Sequence, residues 1–584
     1  MPTLEWIGKD KVVNHHLDVP YRVLERQYSY DESGRHTEDN GSENMIIHGD
    51  NLDALKALLP RYEGRVKCIY IDPPYNTGNE GWVYNDNVND PRIRKWLGEV
   101  VGKEGEDLSR HDKWLCMMYP RLKLLQRLLA DDGVIFISID DNELYNLKAI
   151  CDEIFGTNSF SCNISWQRTY SMRNDTKGIP AEIEHILVYS KKGNWIPHRL
   201  QRTAEMDANY KNPDNDTKGA WQNTSAFAPA ASTHQGMVYA IQHPFTGKLI
   251  YPTANACWRY QQDQMMEYMR EWCPYQYMDI NDDEKRAEIC GVSVDKVKKG
   301  VKAIMLEQSL ESSQKMAKAV YDRGNWPRFF FTNKGLGGIR RKTYLENLPG
   351  KTATNYWPFI EVGHTDEAAK ILQAIFNGKS KFDTPKPPRL IERILQISTE
   401  PDSIILDSFA GSGTTAHAVL NMNKADGGKR KFILVEMMDY ADSITAERVK
   451  RVIDGYGTGR QAVAGTGGNF SYYELGEPLM NGDVLNESVG VDKIREYVYF
   501  TDTKSRLPEP HPDEPYYMGT HVNSAYYFYY EREAVTTLNR EFLHTVKACA
   551  DAYVIYADLC TLSDAELEKH RITFKKIPRD ITKI

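Results

Sequence analysis

The sequence predicts an α/β fold in which a largely parallel sheet is covered by helices on both faces. Strand-like apolar runs alternate with amphipathic helical segments over residues 45–160 and again over 381–457. Such alternation is typical of parallel sheets, because a crossover must carry the chain back before the next strand begins. The segment between them, 161–380, lacks this alternation, so we expect one α/β domain interrupted by an insert.

The first stretch contains three predicted strands, which are MIIHGD (45–50), CIYID (68–72) and VIFISID (134–140). Apolar residues recur every three or four positions, as in amphipathic helices, at 50–59, 114–133 and 141–156. Residues 1–44 precede this pattern and are expected to form an N-terminal arm.

The second stretch continues the alternation with two predicted strands, 403–409 and 431–437, and three predicted helices, 388–398, 413–422 and 444–457. Small residues dominate 458–469, which predicts a glycine-rich linker. The remainder, 470–584, is rich in aromatic residues and is expected to form an α+β C-terminal interaction domain.

The composition is typical of a globular protein, with 26% charged and 41% hydrophobic residues. No apolar run reaches the length of a transmembrane helix, and the charged N-terminal segment does not resemble a secretory signal. The nine cysteines form no CxxC pair, which argues against a metal site or a disulfide scaffold and favours a cytoplasmic location. Because the formal net charge is −8, contacts with nucleic acid are expected only from local basic patches.

A turn of small residues, SFAGSG at 408–413, separates a predicted strand from a predicted helix. Gly411 and Gly413 would let the backbone approach a ligand closely, and the helix offers free N–H groups at its start. The next strand ends at Glu436, where doubly wound sheets place an acidic residue near a ribose. The FxGxG spacing is not a dinucleotide fingerprint, so the alternatives are a pocket for a ribose-bearing ligand without pyrophosphate and a tight structural turn.

An unusual tetrapeptide, Asp72-Pro73-Pro74-Tyr75, ends the second predicted strand. The prolines remove two backbone donors, which leaves the Asp72 and Pro73 carbonyls to accept hydrogen bonds. A carboxylate beside a carbonyl is the acceptor pair that an exocyclic amino group needs, and Tyr75 offers a flat face for a planar base. The tetrapeptide therefore predicts a site for a planar amine, the alternative being a proline turn that caps a strand.

The order of these motifs, with DPPY at 72–75 before FxGxG at 409–413, resembles the amino-methylating DNA methyltransferases of the β class. HGDNL (48–52) and FDTPKPPRLIERIL (382–395) are similar to further motifs of that family. The surrounding sequence, including DSFAGSGTTAHAV (407–419), is most similar to the modification (Mod) subunits of type III restriction–modification systems.

This resemblance implies a Rossmann-like S-adenosylmethionine-dependent methyltransferase domain, with permuted motif order, interrupted by a target-recognition insert. It implies an S-adenosylmethionine pocket formed by Asp50, Lys386, Pro387, Asp407, Phe409, Ala410, Gly411, Gly413, Thr414 and Glu436. It also implies that the target base, flipped out of the duplex, is held by Asp72, Pro73, Pro74 and Tyr75. Hydrogen bonds from the base amine to Asp72 and to the Pro73 carbonyl would localise the nitrogen lone pair for methyl transfer.

Basic residues are candidate DNA contacts, and those singled out are Arg168, Arg173, Arg340, Arg341 and Lys342. A solvated charged surface is the alternative for each of them. The resemblance implies double-stranded DNA as the substrate, a homodimer, and a separate restriction subunit that supplies helicase and nuclease activity. The chain itself has no GxxxxGK[ST] motif, so we expect any DNA cleavage to reside elsewhere.

In the family that the sequence resembles, Asp at the first DPPY position usually accompanies adenine N6. The leading hypothesis is therefore site-specific adenine-N6 methylation of duplex DNA within a restriction–modification or related defence system. Cytosine-N4 methylation is the nearest alternative. Methylation of RNA or of a protein amide is more distant, because a carboxamide nitrogen poses the same chemical problem. A DNA-binding subunit without catalytic activity is the remaining alternative.

Overall fold

The computed structural model describes residues 3–77, 91–100, 110–170, 178–378, 382, 384–459 and 462–579. The chain divides into two compact units. The first consists of Met1–His198 together with Ala353–Ile584, and the second consists of Arg199–Thr352.

An eleven-stranded sheet forms the framework of the first unit. Its strands are β1 (Arg22–Asp31), β2 (Gly34–His36), β3 (Met45–His48), β4 (Val66–Ile71), β5 (Leu129–Ile139), β6 (Phe160–Gln167), β7 (Ile183–Ser190), β8 (Tyr356–Trp357), β9 (Ile404–Asp407), β10 (Lys431–Glu436) and β11 (Asn469–Pro478). Their order in space is β8-β6-β7-β5-β4-β9-β10-β3-β11-β1-β2. The neighbours from β5 to β11 run parallel, whereas β7 is antiparallel to both β5 and β6.

The longer helices of the first unit are α1 (Asn51–Tyr62), α2 (Pro91–Val100), α3 (Arg110–Leu128), α4 (Leu144–Phe155), α5 (Thr365–Ile375), α6 (Pro388–Ser398), α7 (Thr414–Asp426), α8 (Glu447–Asp454) and α9 (Val491–Thr503). A π-helical turn at Ala441–Ala446 leads into α8. Consecutive residues of the central strands are buried, as in β10 from Phe432 to Glu436. A strand buried on both faces reads as an unbroken apolar run, which explains the predicted strands of the sequence.

The helix predicted to stop at Gly133 ends instead at Leu128, where the chain passes directly into β5. Gly133 lies inside that strand, and a Cβ atom there would stand 2.9 Å from the Val66 carbonyl oxygen of β4. Glycine is therefore needed for the close approach of two strands and does not mark the end of the helix.

The second unit contains fewer residues than the predicted insert of 161–380. The flanks of that region supply β6, β7, β8 and α5 to the first unit. Because β6 and β7 pair antiparallel, they need no crossover helix between them, and the βα alternation stops although the sheet continues.

The second unit, Arg199–Thr352, has small sheets packed around aromatic side chains. A four-stranded sheet contains Leu249–Ile250, Ile241–Gln242, Ala303–Leu306 and Tyr275–Met278, and a three-stranded sheet contains Phe329–Phe331, Ile339–Tyr344 and Trp221–Ser225. Its helices of eight residues or more are Gln262–Arg270, Asp283–Cys290 and Leu310–Arg323. The two chain ends of this unit meet, because Leu200 and Lys351 exchange backbone hydrogen bonds of 2.9 and 2.8 Å.

The C-terminal part begins within the large sheet, since β11 pairs with β3 and β1. This pairing joins residues far apart in sequence, which is why the boundary predicted at 470 cuts into a strand. Beyond α9, a four-stranded sheet follows, formed by β12 (Tyr517–His521), β13 (Ser524–Phe528), β14 (Ala552–Ala557) and β15 (Ile572–Lys576). Among the described helices of the chain, none is long and apolar enough to cross a membrane.

Candidate active site

Four adjacent parallel strands of the first unit place acidic residues at their carboxyl ends. Asp72 follows β4, Asp407 ends β9, Glu436 ends β10, and Asp50 lies two residues after β3. Open α/β sheets bind ligands at this edge, because the loops there leave a crevice and the following helices begin there.

Asp72 forms an ion pair with Lys386. The Lys386 ammonium lies 2.8 Å from Asp72 Oδ1 and 2.7 Å from Oδ2. The Tyr75 hydroxyl donates a hydrogen bond of 2.9 Å to the same Oδ1, and the ammonium lies 5.0 Å from the centre of the Tyr75 ring. Two residues of the predicted base site and one of the predicted cofactor site therefore form a single cluster.

The backbone of the DPPY tetrapeptide is held from two sides. The indole N–H of Trp114, which is buried in α3, donates a hydrogen bond of 2.6 Å to the Pro74 carbonyl. Asn76 adopts a φ of 60°, and its side-chain amide donates to Glu143. These contacts, together with the φ angles that the two proline rings fix, hold the Asp72 carboxylate and the buried Pro73 in position.

Burial raises the pKa of the Asp72 carboxyl, although the neighbouring Lys386 opposes the shift. Burial also raises the pKa of the Tyr75 hydroxyl well above its usual value. For Lys386, burial acts to lower the pKa, but the Asp72 and Glu184 carboxylates raise it overall. Lys386 is therefore charged, and Asp72 holds a proton more readily than a solvated carboxylate does.

Glu184, at the start of β7, belongs to the same cluster and was missed by the sequence reasoning. Its Oε2 accepts a 3.2 Å hydrogen bond from Tyr75 and lies 3.7 Å from the Lys386 ammonium. Its Oε1 accepts a 2.6 Å hydrogen bond from Arg168, which was predicted as a DNA contact. Because β7 runs antiparallel to β5, its first residues lie at the edge where the parallel strands end. An acid inside the apolar run IEHILVYS was the available signal.

Asp407 holds the turn of the predicted cofactor site, 408–413, to the end of β9. Its Oδ1 accepts from the Phe409 N–H at 3.0 Å, and its Oδ2 accepts from the Thr415 hydroxyl at 2.5 Å. Gly411 and Gly413 have φ values of 51° and 82°, in the left-handed region that glycine favours. Burial raises the pKa of Asp407 to about 7.

Glu436 supports the same turn from the neighbouring strand. Its carboxylate accepts from the Gly411 N–H at 2.7 Å and from the Met438 N–H at 3.0 Å. Burial raises its pKa to about 7. The expected contact with a ribose stays a prediction, because in this structure both carboxylate oxygens bind backbone N–H groups of the chain.

Arg448 of α8 is a buried cation behind the turn and was also missed from the sequence. One guanidinium nitrogen donates 2.7 Å hydrogen bonds to the hydroxyls of both Ser412 and Thr414. Burial lowers the Arg448 pKa to about 9. The two hydroxyls accept from Arg448 and lie 3.4 Å from each other, so at least one of their protons is available to an acceptor in the pocket.

One pocket joins the two motifs. It is lined by Tyr70, Asp72, Phe382, Thr384, Pro385, Lys386, Asp407, Phe409, Ala410, Gly411, Ser412, Thr414 and Thr415. The pocket offers an aromatic ring, hydroxyl donors, and the first turn of α7, whose backbone N–H groups favour anions. This set of groups fits S-adenosylmethionine, which carries a carboxylate and a purine ring.

Two further residues of the predicted cofactor site are structural neighbours of the pocket. Pro387 adjoins Lys386 and caps the N-terminus of α6. Asp50 caps α1, since its Oδ1 accepts from the Leu52 N–H at 2.8 Å, and its Oδ2 lies 3.3 Å from Arg121. Their contacts with a cofactor stay predictions.

The prediction that Lys342 contacts DNA is wrong. Lys342 is fully buried, where its ammonium binds the carboxylates of Asp214 and Asp216 and donates 2.7 Å to the Trp326 carbonyl. The packing around its strand, Ile339–Tyr344, places this lysine in the core of the second unit, which sequence spacing alone did not indicate.

The other predicted DNA contacts differ in their exposure. Arg340 is exposed on its strand, whereas Arg341 is half-buried and lies 3.4 Å from the Thr224 hydroxyl. Arg168 is occupied by Glu184. Arg173 lies outside the described residues.

Comparison with known proteins places most of the chain in one family. Residues 66–499 match a family described as DNA methylase, of the N6/N4 methyltransferase type. The StyLTI Mod subunit, from a type III restriction–modification enzyme of Salmonella typhimurium, is 32% identical over 77% of this chain and 62% of its own length. The EcoP15I Mod subunit of Escherichia coli is 28% identical over 78% of this chain and 67% of its own length.

This chain therefore spans about three fifths of the length of the Salmonella relative. Among solved structures, the PvuII DNA methyltransferase, described as cytosine-N4-specific, is 12% identical and has a TM-score of 0.30 over 70% of this chain and 86% of its own.

Proposed function

This chain belongs to the N6/N4 DNA methylase family, and from that premise we propose that it methylates adenine N6 at specific sites in duplex DNA. The observation that carries the proposal is the shared pocket, which brings Asp72 and Lys386 together with Phe409 and Gly411. Methyl transfer to a base requires an acceptor for the amino group and a cofactor-binding turn in one pocket, because the base and the cofactor must meet in line.

The turn after β9 is proposed to bind S-adenosylmethionine, which supplies the methyl group when bound. Gly411 and Gly413 leave room for close approach of the ligand. The hydroxyls of Ser412 and Thr414, backed by the Arg448 cation, are positioned to donate to its carboxylate.

Asp72 is proposed to accept a hydrogen bond from the target amine, with the Pro73 carbonyl as a second acceptor. Both bonds favour a tetrahedral nitrogen, which localises the lone pair needed for attack. After transfer, the nitrogen must lose a proton, and a carboxylate with a raised pKa is suited to receive it. Tyr75 is proposed to stack on the base, which must leave the duplex to reach the pocket.

Adenine is proposed over cytosine because the relatives of this chain include type III Mod subunits and the first DPPY residue is Asp72. The test is to express the chain in cells that lack other DNA methylation and to sequence their DNA with detection of modified bases. We expect N6-methyladenine at one short recurring sequence on one or both strands. N4-methylcytosine at such a sequence would favour the alternative, and unmodified DNA would contradict the proposal.

The second unit is proposed to recognise the DNA target, since it is a compact unit whose two chain ends are hydrogen-bonded to each other and it carries exposed basic residues such as Arg340. The type III Mod relatives also lead us to propose assembly with a restriction subunit and pairing of two copies of this chain. Light scattering of the purified chain, alone and with DNA, measures the number of copies. A single copy under both conditions contradicts the pairing.

A further inference from the structure

The acceptor proposed for the target base is already occupied. Lys386 lies within 2.8 Å of both Asp72 oxygens, and Tyr75 donates to one of them. An incoming amine must therefore displace the ammonium, at least in part. A buried ammonium that loses its partner needs another acceptor, since an uncompensated charge in the interior is strongly unfavourable.

Glu184 provides that acceptor. Its Oε2 lies 3.7 Å from the Lys386 ammonium and accepts from Tyr75 at 3.2 Å, so one oxygen faces both groups that occupy Asp72. Its other oxygen is held by Arg168 at 2.6 Å, which fixes the carboxylate in place. Glu184 is only 5% exposed, so little water competes for this oxygen.

We propose that Glu184 is a positioning residue that receives Lys386 and the Tyr75 hydroxyl from Asp72 when the target amine binds. This inference rests on the proposed function. The exchange requires the ammonium to move by about 1 Å, the difference between its 3.7 Å separation from Glu184 and its 2.7 Å separation from Asp72. The cluster keeps two carboxylates and two cations throughout, so no charge enters or leaves the buried site.

A second feature of the cluster is a buried donor on Arg168, the residue that holds Glu184. Within the described part of the chain, the buried Nε of Arg168 has no hydrogen-bond partner. Buried donors are normally satisfied, so the hydrogen bonding of Arg168 is incomplete among the described residues. If Glu184 only balanced the charge of Arg168, none of its oxygens would need to face Tyr75 and Lys386.

The test is a double-mutant cycle between Glu184→Gln and Lys386→Met, with single-turnover methyl transfer measured on a duplex that carries the sequence modified by the wild type. Glu184→Gln removes the charge that attracts the lysine, so Asp72 stays covered. We expect a rate loss of roughly tenfold or more in the wild-type background and less than about twofold in the Lys386→Met background, a coupling typical of contacting charges.

A binding measurement completes the test, because Lys386→Met itself is expected to slow the reaction. The affinity ratio between duplexes with adenine and with purine at the target position isolates the contribution of the amino group. We expect Glu184→Gln to lower this ratio towards one, and to leave it unchanged when Lys386 is already Met. Within each background, the Glu184 change is expected to leave the affinity for S-adenosylmethionine unchanged.

Glu182→Gln is the matched control, since it makes the same chemical change two residues away, and it is expected to behave as wild type. If Glu184→Gln does not fold, Glu184→Asp replaces it in the same cycle, because the shorter side chain keeps the charge but moves the carboxylate away from Lys386 and Tyr75. Equal effects of the Glu184 change in both backgrounds would overturn the exchange while the proposed function stands. A wild-type chain that transfers no methyl group to DNA would overturn both.

Discussion

Lys386 and Asp72, which are 314 positions apart in sequence, form a two-contact ion pair in the lining of the pocket. The two residues come from opposite parts of the interrupted domain, so this cluster exists only when both parts share one sheet. The pair also ties the residue proposed to bind the base to the segment proposed to bind the cofactor.

Replacing Asp72 with Asn should remove methyl transfer while leaving S-adenosylmethionine binding intact. The amide keeps the shape of the side chain, but it cannot accept the proton released by the methylated nitrogen and it loses its pairing with Lys386. We expect the rate to fall by about 10²- to 10⁴-fold, measured with a labelled methyl donor, and cofactor affinity by calorimetry to change little. A variant that retains near wild-type transfer would remove Asp72 from the mechanism.

Replacing Gly413 with Ala should weaken cofactor binding. The residue has a φ of 82°, and an added Cβ would lie 3.1 Å from the Thr445 carbonyl oxygen. The left-handed conformation costs a non-glycine residue about 1–2 kcal/mol, and the turn must also shift. We expect an affinity loss of about tenfold or more, since tenfold corresponds to about 1.4 kcal/mol.

Gly427→Ala is the control for that change. Gly427 also has a positive φ, 72°, but no heavy atom lies within 4 Å of the added Cβ, and it caps the far end of α7. Gly427→Ala should lower thermal stability about as much as Gly413→Ala does, without affecting cofactor affinity. Equal loss of affinity in both variants would assign the effect to global stability.

The stability of the chain should fall as the pH rises from about 4.5 to 7, in part because of Glu436. Burial raises its pKa from 4.5 to about 7, so the folded state holds a proton that the unfolded state releases over this interval. The stabilising contribution is complete below pH 4.5 and is lost as the pH passes 7. Glu436→Gln should flatten the dependence by roughly 3 kcal/mol across the interval.

Thermal unfolding midpoints at several pH values measure that slope, which is independent of any constant loss caused by the substitution. Glu541→Gln, at an exposed position of the same unit, should retain the wild-type slope. An unchanged slope in Glu436→Gln would mean that this carboxyl ionises without cost in the folded chain.

Lys342 and Arg340, two residues apart on one strand, should respond in opposite ways to the loss of their charges. Lys342→Met leaves Asp214 and Asp216 buried without their cation, which should destabilise the second unit by about 3–5 kcal/mol. Arg340→Gln should leave the melting midpoint unchanged and, if the arginine meets a phosphate, reduce the salt dependence of DNA binding by about one ion. A folded, stable Lys342→Met protein would contradict the buried-charge assignment.

The sequence was sufficient for the central strands and for the two motifs that meet in the pocket. Asp72 and the turn at 408–413 both follow apolar runs, and parallel strands bring such ends to a common edge. Glu184 could not be assigned in the same way, because it starts an antiparallel strand whose direction the sequence does not state. Arg448 was hidden for a different reason, since only tertiary packing distinguishes a buried arginine on an amphipathic helix from a solvated one.

Lys342 was misassigned because a cluster of basic residues, Arg340 to Lys342, was taken as one surface. Arg340 and Lys342 lie on the same face of their strand, because side chains alternate with a period of two, yet one is exposed and the other is buried. Burial along that face depends on what packs against each position, which the spacing of residues does not reveal. The predicted insert was too long because it included the antiparallel β6–β7 pair. An antiparallel pair needs no crossover helix, so these strands lack the βα alternation by which a parallel sheet is identified.

The meeting of Leu200 and Lys351 has a consequence for how such genes change. A segment whose two ends are hydrogen-bonded to each other can be replaced by another with the same spacing while the surrounding fold is kept. Recombination at two points in the gene could then exchange residues 199–352 as a cassette. Under the proposed division of roles, the chemistry of the first unit would be inherited unchanged and a lineage would acquire a new DNA target in a single event.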